Sequence, residues 1–290
     1  AADSRSMNEA AKALYISQPS LSGAIKELEK EIGIELFKRS SHGTVLTPEG
    51  EEFLGYAKQV VEQYHLLENR YLNVESKKKF SVSMQHYSFA VKAFVQLAKE
   101  VGMDEYEFAV HETKTKEVID NVKNLKSEIG VLYLSDFNEK VLRKLFKECD
   151  IEFKELFTCN TYVYLWKKHP LAGKKVITLD DLQEYPCLTF EQGVNNSFYY
   201  AEEMMSTYEY KRVIKADDRA TMLNLMVGLN GFTLCSGIIS EDLNGDDYAA
   251  IPLKESEKMH IGYIKHKGTK LSKLGEIYID ALKNYENKVL

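Results

Sequence analysis

Between Ser6 and Thr47 the apolar positions fall into two short helical runs with a break between them. Ala10, Ala11 and Leu14 supply the inner face of the first run, which opens on Ser6 with Glu9 three residues on, the spacing of a capping box. The turn is Tyr15, Ile16 and Ser17, with Ser17 as N-cap of the second run. That run starts at Gln18 and carries Pro19 in its first turn, where a missing amide hydrogen costs nothing. Leu21, Ile25, Leu28 and Ile32 recur at steps of four, three and four, so they line one face and pack on the first helix. Gln18, Ser20, Ser22, Gly23 and Lys26 remain outward, where they can reach phosphates or base edges. A Gly-bearing hairpin follows at Ser40–Thr44. Two helices split by a tight turn are how a protein presents a helix to the DNA major groove.

From Thr47, an N-cap followed by Pro48, the apolar period lengthens into one long helix. Phe53, Ala57, Val60, Tyr64, Leu67, Tyr71 and Val74 alternate in steps of four and three, a heptad seam for a partner helix. From Pro48 to Asn73 it spans about 39 Å. The same face could instead dock on its own domain. After the polar stretch Ser76–Lys79 the pattern changes again, and apolar runs of strand length alternate with helical ones. Strands are expected at Phe80–Met84, Phe108–His111, Ile129–Leu134, Leu156–Leu165, Cys187–Phe190, Arg212–Lys215, Phe232–Cys235, Ala250–Leu253 and Met259–Lys265. Helices are expected at Tyr87–Lys99, Thr115–Leu125, Glu139–Lys147, Ser197–Tyr208, Arg219–Leu229 and Ser272–Tyr285. Such alternation implies parallel sheets with crossover helices, and two units joined by crossing strands make a cleft.

Ligands of open α/β sheets sit beyond the carboxyl ends of the strands. That rule selects Gln85, His86, Tyr87 and Ser88 after the first strand, and Glu112, Thr113, Lys114 and Thr115 after the second. In the second unit it selects Glu191–Ser197, with Asn195 and Asn196, and Asp217–Thr221. Each has a plainer alternative: Ser88 and Thr115 as helix caps, Asp217 and Asp218 as caps paired with Arg219, His86 as a solvated turn residue. The mixture of carboxylates, Lys114, His86 and hydroxyls points to a small polar ligand and leaves its charge open.

Composition sets the class. A chain of 290 residues, 44% hydrophobic and 28% charged, is ordinary globular usage for two or three units. No apolar run is long enough to span a bilayer, so a cytoplasmic protein without membrane contact is expected. The net charge of −6 does not favour DNA, and up to Thr47 basic and acidic residues balance. Cys149, Cys159, Cys187 and Cys235 form no metal or redox spacing and read as reduced thiols. No nucleophile elbow, phosphate loop or His-Glu-x-x-His helix is present, and His260 with His266 is a weak metal pair. No catalytic residue, cofactor or metal is therefore assigned.

One residue string goes further. Ala10-Ala11, Ser17–Ser22, Leu28-Glu29, Leu36-Phe37, Leu46-Thr47 and Gly50 together closely resemble the DNA-binding segment of LysR-type transcriptional regulators. His169–Gly173, Leu179–Leu182 and Met226–Phe232 resemble that family's effector domain. Gly23 stands where the family usually has Arg, the hairpin lacks the Arg residues often found there, and the family's first helix has no counterpart in this sequence. The resemblance implies α/β architecture with an all-α winged helix-turn-helix N-terminal part at 1–47 and a linker and dimerisation helix at 48–76. It implies a two-lobed, Rossmann-like, periplasmic-binding-protein-like effector domain at 77–290, with lobe 1 about 77–159 and 267–290 and lobe 2 about 160–266. Ser17, Gln18, Pro19, Ser20, Ser22, Lys26, Arg39 and His42 would then face a double-stranded DNA operator. Gln85, His86, Tyr87, Ser88, Thr113, Thr115, Asn195, Asn196 and Asp217 would face a small-molecule effector, in a homodimer or homotetramer. The rival is a small-molecule-binding α/β protein or enzyme whose N-terminal helices are only an oligomerisation arm.

Overall fold

A computed structural model of the chain describes residues 6–40, 43–71, 77–102, 105–195, 197–239 and 241–285. The expectations for His42, Val74 and Asn196, and for the side chains of Arg39, Leu67 and Tyr71, lie outside the described residues. The chain divides into two compact units, Ala1–Ser76 and Lys77–Leu290.

In the first unit, α1 (Met7–Ala13) begins where Ser6 Oγ accepts the Glu9 amide at 3.2 Å. The next helix, α2 (Gln18–Ile32), begins where Ser17 Oγ accepts the Ser20 amide at 3.2 Å and ends on Gly33, in the left-handed region at φ 73°. Ala10, Ala11 and Leu21 bury against one another, with Met7 and Ile25 packed on them. Leu14, expected on this inner face, is 56% exposed: α1 stops at Ala13, and the chain swings out through Tyr15 at φ 55°. The hairpin strands β1 (Phe37–Ser40) and β2 (Gly43–Leu46) pair antiparallel. Glu29 ties the hairpin to α2, its Oε1 accepting the amides of Leu36 at 2.7 Å and Phe37 at 3.0 Å. Then comes α3 (Pro48–Tyr71), whose Gly50 amide donates to Thr47 Oγ1 at 2.8 Å. A Cβ on Gly50 would lie 2.2 Å from the Leu36 carbonyl oxygen, so only glycine fits there. The 24 residues of α3 span about 36 Å. Phe53 and Ala57 are half-buried, while Val60 and Tyr64 are 69% and 57% exposed.

In the second unit a first lobe is laid down by β3 (Lys78–Met84), α4 (Ser88–Val101), β4 (Tyr106–Glu112), α5 (Thr115–Lys123), β5 (Ile129–Leu134), α6 (Glu139–Glu148) and β6 (Ile151–Cys159). A second lobe follows with β7 (Tyr162–Trp166), α7 (Leu179–Leu182), β8 (Cys187–Phe190), β9 (Val213–Ala216), α8 (Arg219–Leu229), β10 (Phe232–Cys235), α9 (Glu241–Asn244) and β11 (Tyr248–Pro252). The chain then returns to the first lobe with β12 (Met259–His266) and α10 (Lys273–Lys283). The sheets run β4-β3-β5-β12-β6 and β11-β7-β10-β8-β9. Both are mixed rather than purely parallel: β3 is parallel to β4 and β5, β8 to β9 and β10, and the other pairings are antiparallel.

Three expectations change. The run Leu156–Leu165 is two strands, β6 and β7, because the chain leaves one sheet at Asn160 and enters the other after Thr161. Thr161 is buried there, its amide donating to Ser256 Oγ at 2.7 Å and its hydroxyl to the Glu257 carbonyl at 2.9 Å, which stitches the two crossing segments together. The strand expected at Met259–Lys265, assigned by sequence to the second lobe, is β12 and lies in the first sheet between β5 and β6, so the return crossing falls at 253–258. Its Met259, Ile261 and Ile264 are buried, two of them in the large core and Ile264 on the opposite face of that sheet. The helix expected over Ser197–Tyr208 is only a 3-10 turn, Phe198–Tyr200, followed by irregular backbone. The cause is Glu202 and Glu203, whose carboxylates turn inward instead of facing solvent.

Candidate functional site

In the first unit the outward face of α2 carries the groups expected at DNA. Ser17, Pro19, Ser20 and Lys26 are exposed, and Gln18 and Ser22 are half-buried. Gln18 Nε2 donates to Ser22 Oγ at 2.7 Å, and the Ser17 and Ser20 hydroxyls lie 2.7 Å apart. A carboxamide held by one N–H keeps its other N–H and its oxygen for a base edge.

In the second unit residues 190–192 and 200–203 of the second lobe bond to the first lobe or to one another beside it. Thr115 donates its amide to Gln192 Oε1 at 3.1 Å and its hydroxyl to the Tyr200 carbonyl at 2.7 Å. The same hydroxyl accepts from Gln85 Nε2 at 2.6 Å, and Gln85 Oε1 accepts from the Tyr87 hydroxyl at 2.9 Å and the Tyr133 amide at 3.2 Å. Both polar groups are spent on the fold. Glu202 Oε2 accepts the His86 amide at 2.9 Å and lies 2.8 Å from His86 Nδ1, while its Oε1 accepts from Gln192 Nε2 at 2.9 Å. The His86 ring stacks on Phe190 with centroids 3.7 Å apart. Beside it Glu203 Oε1 accepts the Phe190 amide at 2.9 Å; burial, and then the neighbouring Glu202, push its carboxyl up to about 8. On the far side Arg219 of α8 donates from Nε and Nη2 to Glu112 Oε1 at 3.1 and 2.6 Å, and Lys114 pairs with Asp217 at 3.4 Å.

Next to this latch a cavity of about 90 Å³ opens between the start of α4, the inner side of α8 and β10. Of the residues expected at an effector, His86, Tyr87 and Ser88 line it. Gln85, Thr113, Thr115, Asn195 and Asp217 do not: Gln85 and Thr115 belong to the latch, Thr113 donates to Glu117, and Asp217 faces Lys114. Sequence reasoning missed most of the wall, which is apolar at Met222, Leu223, Met226, Leu234, Ile238 and Ile239. It also missed Glu202, Glu203, Tyr164 and Thr233, which together with Arg219 of the expected turn 217–221 supply polar groups to the cavity. The apolar period of α8 could have flagged its methionines, whereas nothing local marks Thr233 on β10. Burial raises the thiols of Cys159 and Cys235 to about 12 and that of Cys187 higher still, so these stay protonated and all four cysteines are free. Among the described residues no group of three metal-ligating side chains is found, and no helix is long and apolar enough to cross a membrane.

A helix-turn-helix with an exposed polar second helix, in a chain that also carries two α/β lobes around a shared cavity, defines a ligand-responsive DNA-binding regulator. Residues 1–51 match the profile described as bacterial regulatory helix-turn-helix protein, lysR family, and residues 103–286 match the LysR substrate binding domain. The chain belongs to the LysR family of transcriptional regulators and is not an enzyme. It is 28% identical to the HTH-type transcriptional regulator CysL of Bacillus subtilis, over 99% of this chain and 95% of that one. It is also 28% identical to the malolactic fermentation system transcriptional activator of Lactococcus lactis, over 96% and 93%. Among solved structures, a mutant of Corynebacterium glutamicum OxyR superposes with a TM-score of 0.63 at 18% identity, over 98% of this chain and 89% of that one. HinK of Pseudomonas aeruginosa gives 0.50 at 20%, over 98% and 94%. At these identities the structures speak for the fold. Regulators of this family bind DNA operators and small-molecule effectors and form oligomers. The oligomerisation-arm alternative falls, because residues 1–51 match the family's DNA-binding helix-turn-helix.

Proposed function

We propose that this chain reads a double-stranded operator with α2, pairs with a second copy through α3, and answers to a small effector held between the lobes of its second unit. The assignment of 1–47 as DNA-binding head, 48–76 as linker and 77–290 as effector domain is part of this reading, as is action in the cytoplasm, where the operator lies. The observation that carries it is the cavity itself, walled by Tyr87 and Ser88 from one lobe and by Met222, Met226 and Thr233 from the other. A molecule touching both lobes binds one arrangement of them better than any other, and so shifts the population toward it. Gln18, Ser22 and Lys26 are assigned the DNA contacts, and Val60 and Tyr64 the contact between copies, because an exposed apolar stripe on a long helix is buried best by its own copy.

The test is anisotropy of the full chain against DNA tiling the region upstream of its own gene, at two salt concentrations. One tile should bind at least a hundredfold more tightly than the rest, with two protected half-sites spaced by whole helical turns. Equal affinity for all tiles, varying only with salt, would mean that α2 reads no sequence.

A further inference from the structure

The charged groups around the cavity are already matched within the chain. Glu202, 6% exposed, has both carboxylate oxygens engaged by three donors or ring nitrogens: the His86 amide, His86 Nδ1 and the Gln192 carboxamide, at 2.8 to 2.9 Å. A backbone amide, an imidazole and a carboxamide converging on one carboxylate make an anion site, and the chain fills it with its own side chain. That carboxylate also accepts the amide of His86, two residues ahead of the first residue of α4, where it offsets the positive helix end that would otherwise attract an anion into the cavity. Arg219, the cation on the cavity wall, is held by Glu112 through two nitrogens.

Two uncharged polar groups of the lining are not matched. Thr233, 6% exposed, lines the cavity, and its buried Oγ1 has no hydrogen-bond partner among the described residues. Tyr164 lines it too, its hydroxyl buried near Asn244 and without a hydrogen bond among the described residues. A buried hydroxyl left unbonded is costly, and a ligand that bonds it recovers that cost on binding. The apolar wall is methionine, leucine and isoleucine together with Phe89, Phe190 and Cys235.

Resting on the reading of this cleft as the effector site, we propose that the cavity takes a small uncharged molecule, with a short branched apolar part against Met222, Met226 and Ile238 and a hydrogen-bonding group at Thr233 and Tyr164. Glu202 holds the position a carboxylate ligand would occupy and excludes anions. The volume admits about six atoms of water size.

Four probes on one carbon skeleton test this with the full chain at pH 7: isobutyramide, isobutanol, isobutyrate and isobutylamine, followed by thermal shift and titration calorimetry. Molecules this small bind in the millimolar range. Isobutyramide and isobutanol should raise the melting temperature and the two ions should not. Thr233→Val, which keeps the shape, should weaken the amide about tenfold and leave the melting point without ligand unchanged or raised. Glu202→Ala, which vacates the cradle, should turn isobutyrate into a binder. If isobutyrate stabilises the wild-type chain as much as the amide does, and Leu223→Trp abolishes it by filling the cavity, the neutral-ligand inference fails while the cleft survives as the effector site. If no probe binds, or binding ignores Leu223→Trp, both readings fail.

Discussion

Replacing Glu203 by Gln should make this protein more stable, and increasingly so as the pH rises. The carboxyl is 5% exposed, receives one amide hydrogen bond from Phe190, and lies beside the Glu202 carboxylate, so ionising it is opposed both by burial and by like charge. Its folded-state value is raised from 4.5 to about 8. The sign follows from linkage: between those two values the unfolded chain releases the proton while the folded chain keeps it, so stability falls as pH rises through that window and is level outside it. Two and a half pH units separate 4.5 from 7, and at 1.36 kcal/mol each the wild-type chain forfeits about 3 kcal/mol at pH 7. Gln keeps an oxygen for the Phe190 amide and removes the proton. Urea unfolding of both full-length proteins at pH 5, 6, 7 and 8 is the assay, because the difference cancels every other titrating group. The gap in unfolding free energy should be near zero close to pH 4.5 and widen by about 1.4 kcal/mol per unit. A gap that stays constant across this range would show that Glu203 is ionised in the folded protein and would refute the reasoning.

Gln18→Ala should relax discrimination at one base pair, at about 1–3 kcal/mol, whereas Lys26→Ala should weaken all DNA alike and lower the salt slope by about one, both read by anisotropy. Val60→Asp places a charge on a position exposed in the single chain, so it should leave the melting temperature alone but dissociate the dimer by several kcal/mol; an unshifted sedimentation coefficient would move α3 to a contact within its own chain. Thr115→Val strips the Tyr200 carbonyl of its donor and Gln85 of its acceptor, and a lowered urea midpoint worth about 1–3 kcal/mol is expected, with no direct loss of a ligand contact because Thr115 does not line the cavity.

The first unit was largely legible because its signals are local. The Ser6 and Ser17 caps, Pro19, and the periodicity that buries Leu21 each act within a few residues, and the structure sets the helices where they point. Gly50 was visible only as one letter of a family string. Its reason is a close approach to the Leu36 carbonyl from fourteen residues earlier, which no periodicity reveals. In the second unit strand positions were legible from apolar runs, but lobe membership was not. Whether Met259–His266 pairs with β5 or joins the sheet of β7 depends on partners more than a hundred residues away, and both sheets offer it an apolar face.

The helix expected at Ser197–Tyr208 does not form, for a physical reason that bears on function. By local propensity Glu202, Glu203, Met204 and Met205 favour helix, and a helix would have pointed the carboxylates at solvent. The chain instead forgoes the helical hydrogen bonds of this stretch and replaces them with side-chain bonds to amides of other elements: Glu202 to His86 across 116 residues, Glu203 to Phe190, and the Tyr200 carbonyl to Thr115. A segment whose local preference and tertiary setting disagree is held by few, identifiable bonds. It is also the segment through which the second lobe grips the first beside the cavity. A ligand that changes the footing of Glu202 therefore acts on the part of the fold best able to convert binding into a different arrangement of the lobes.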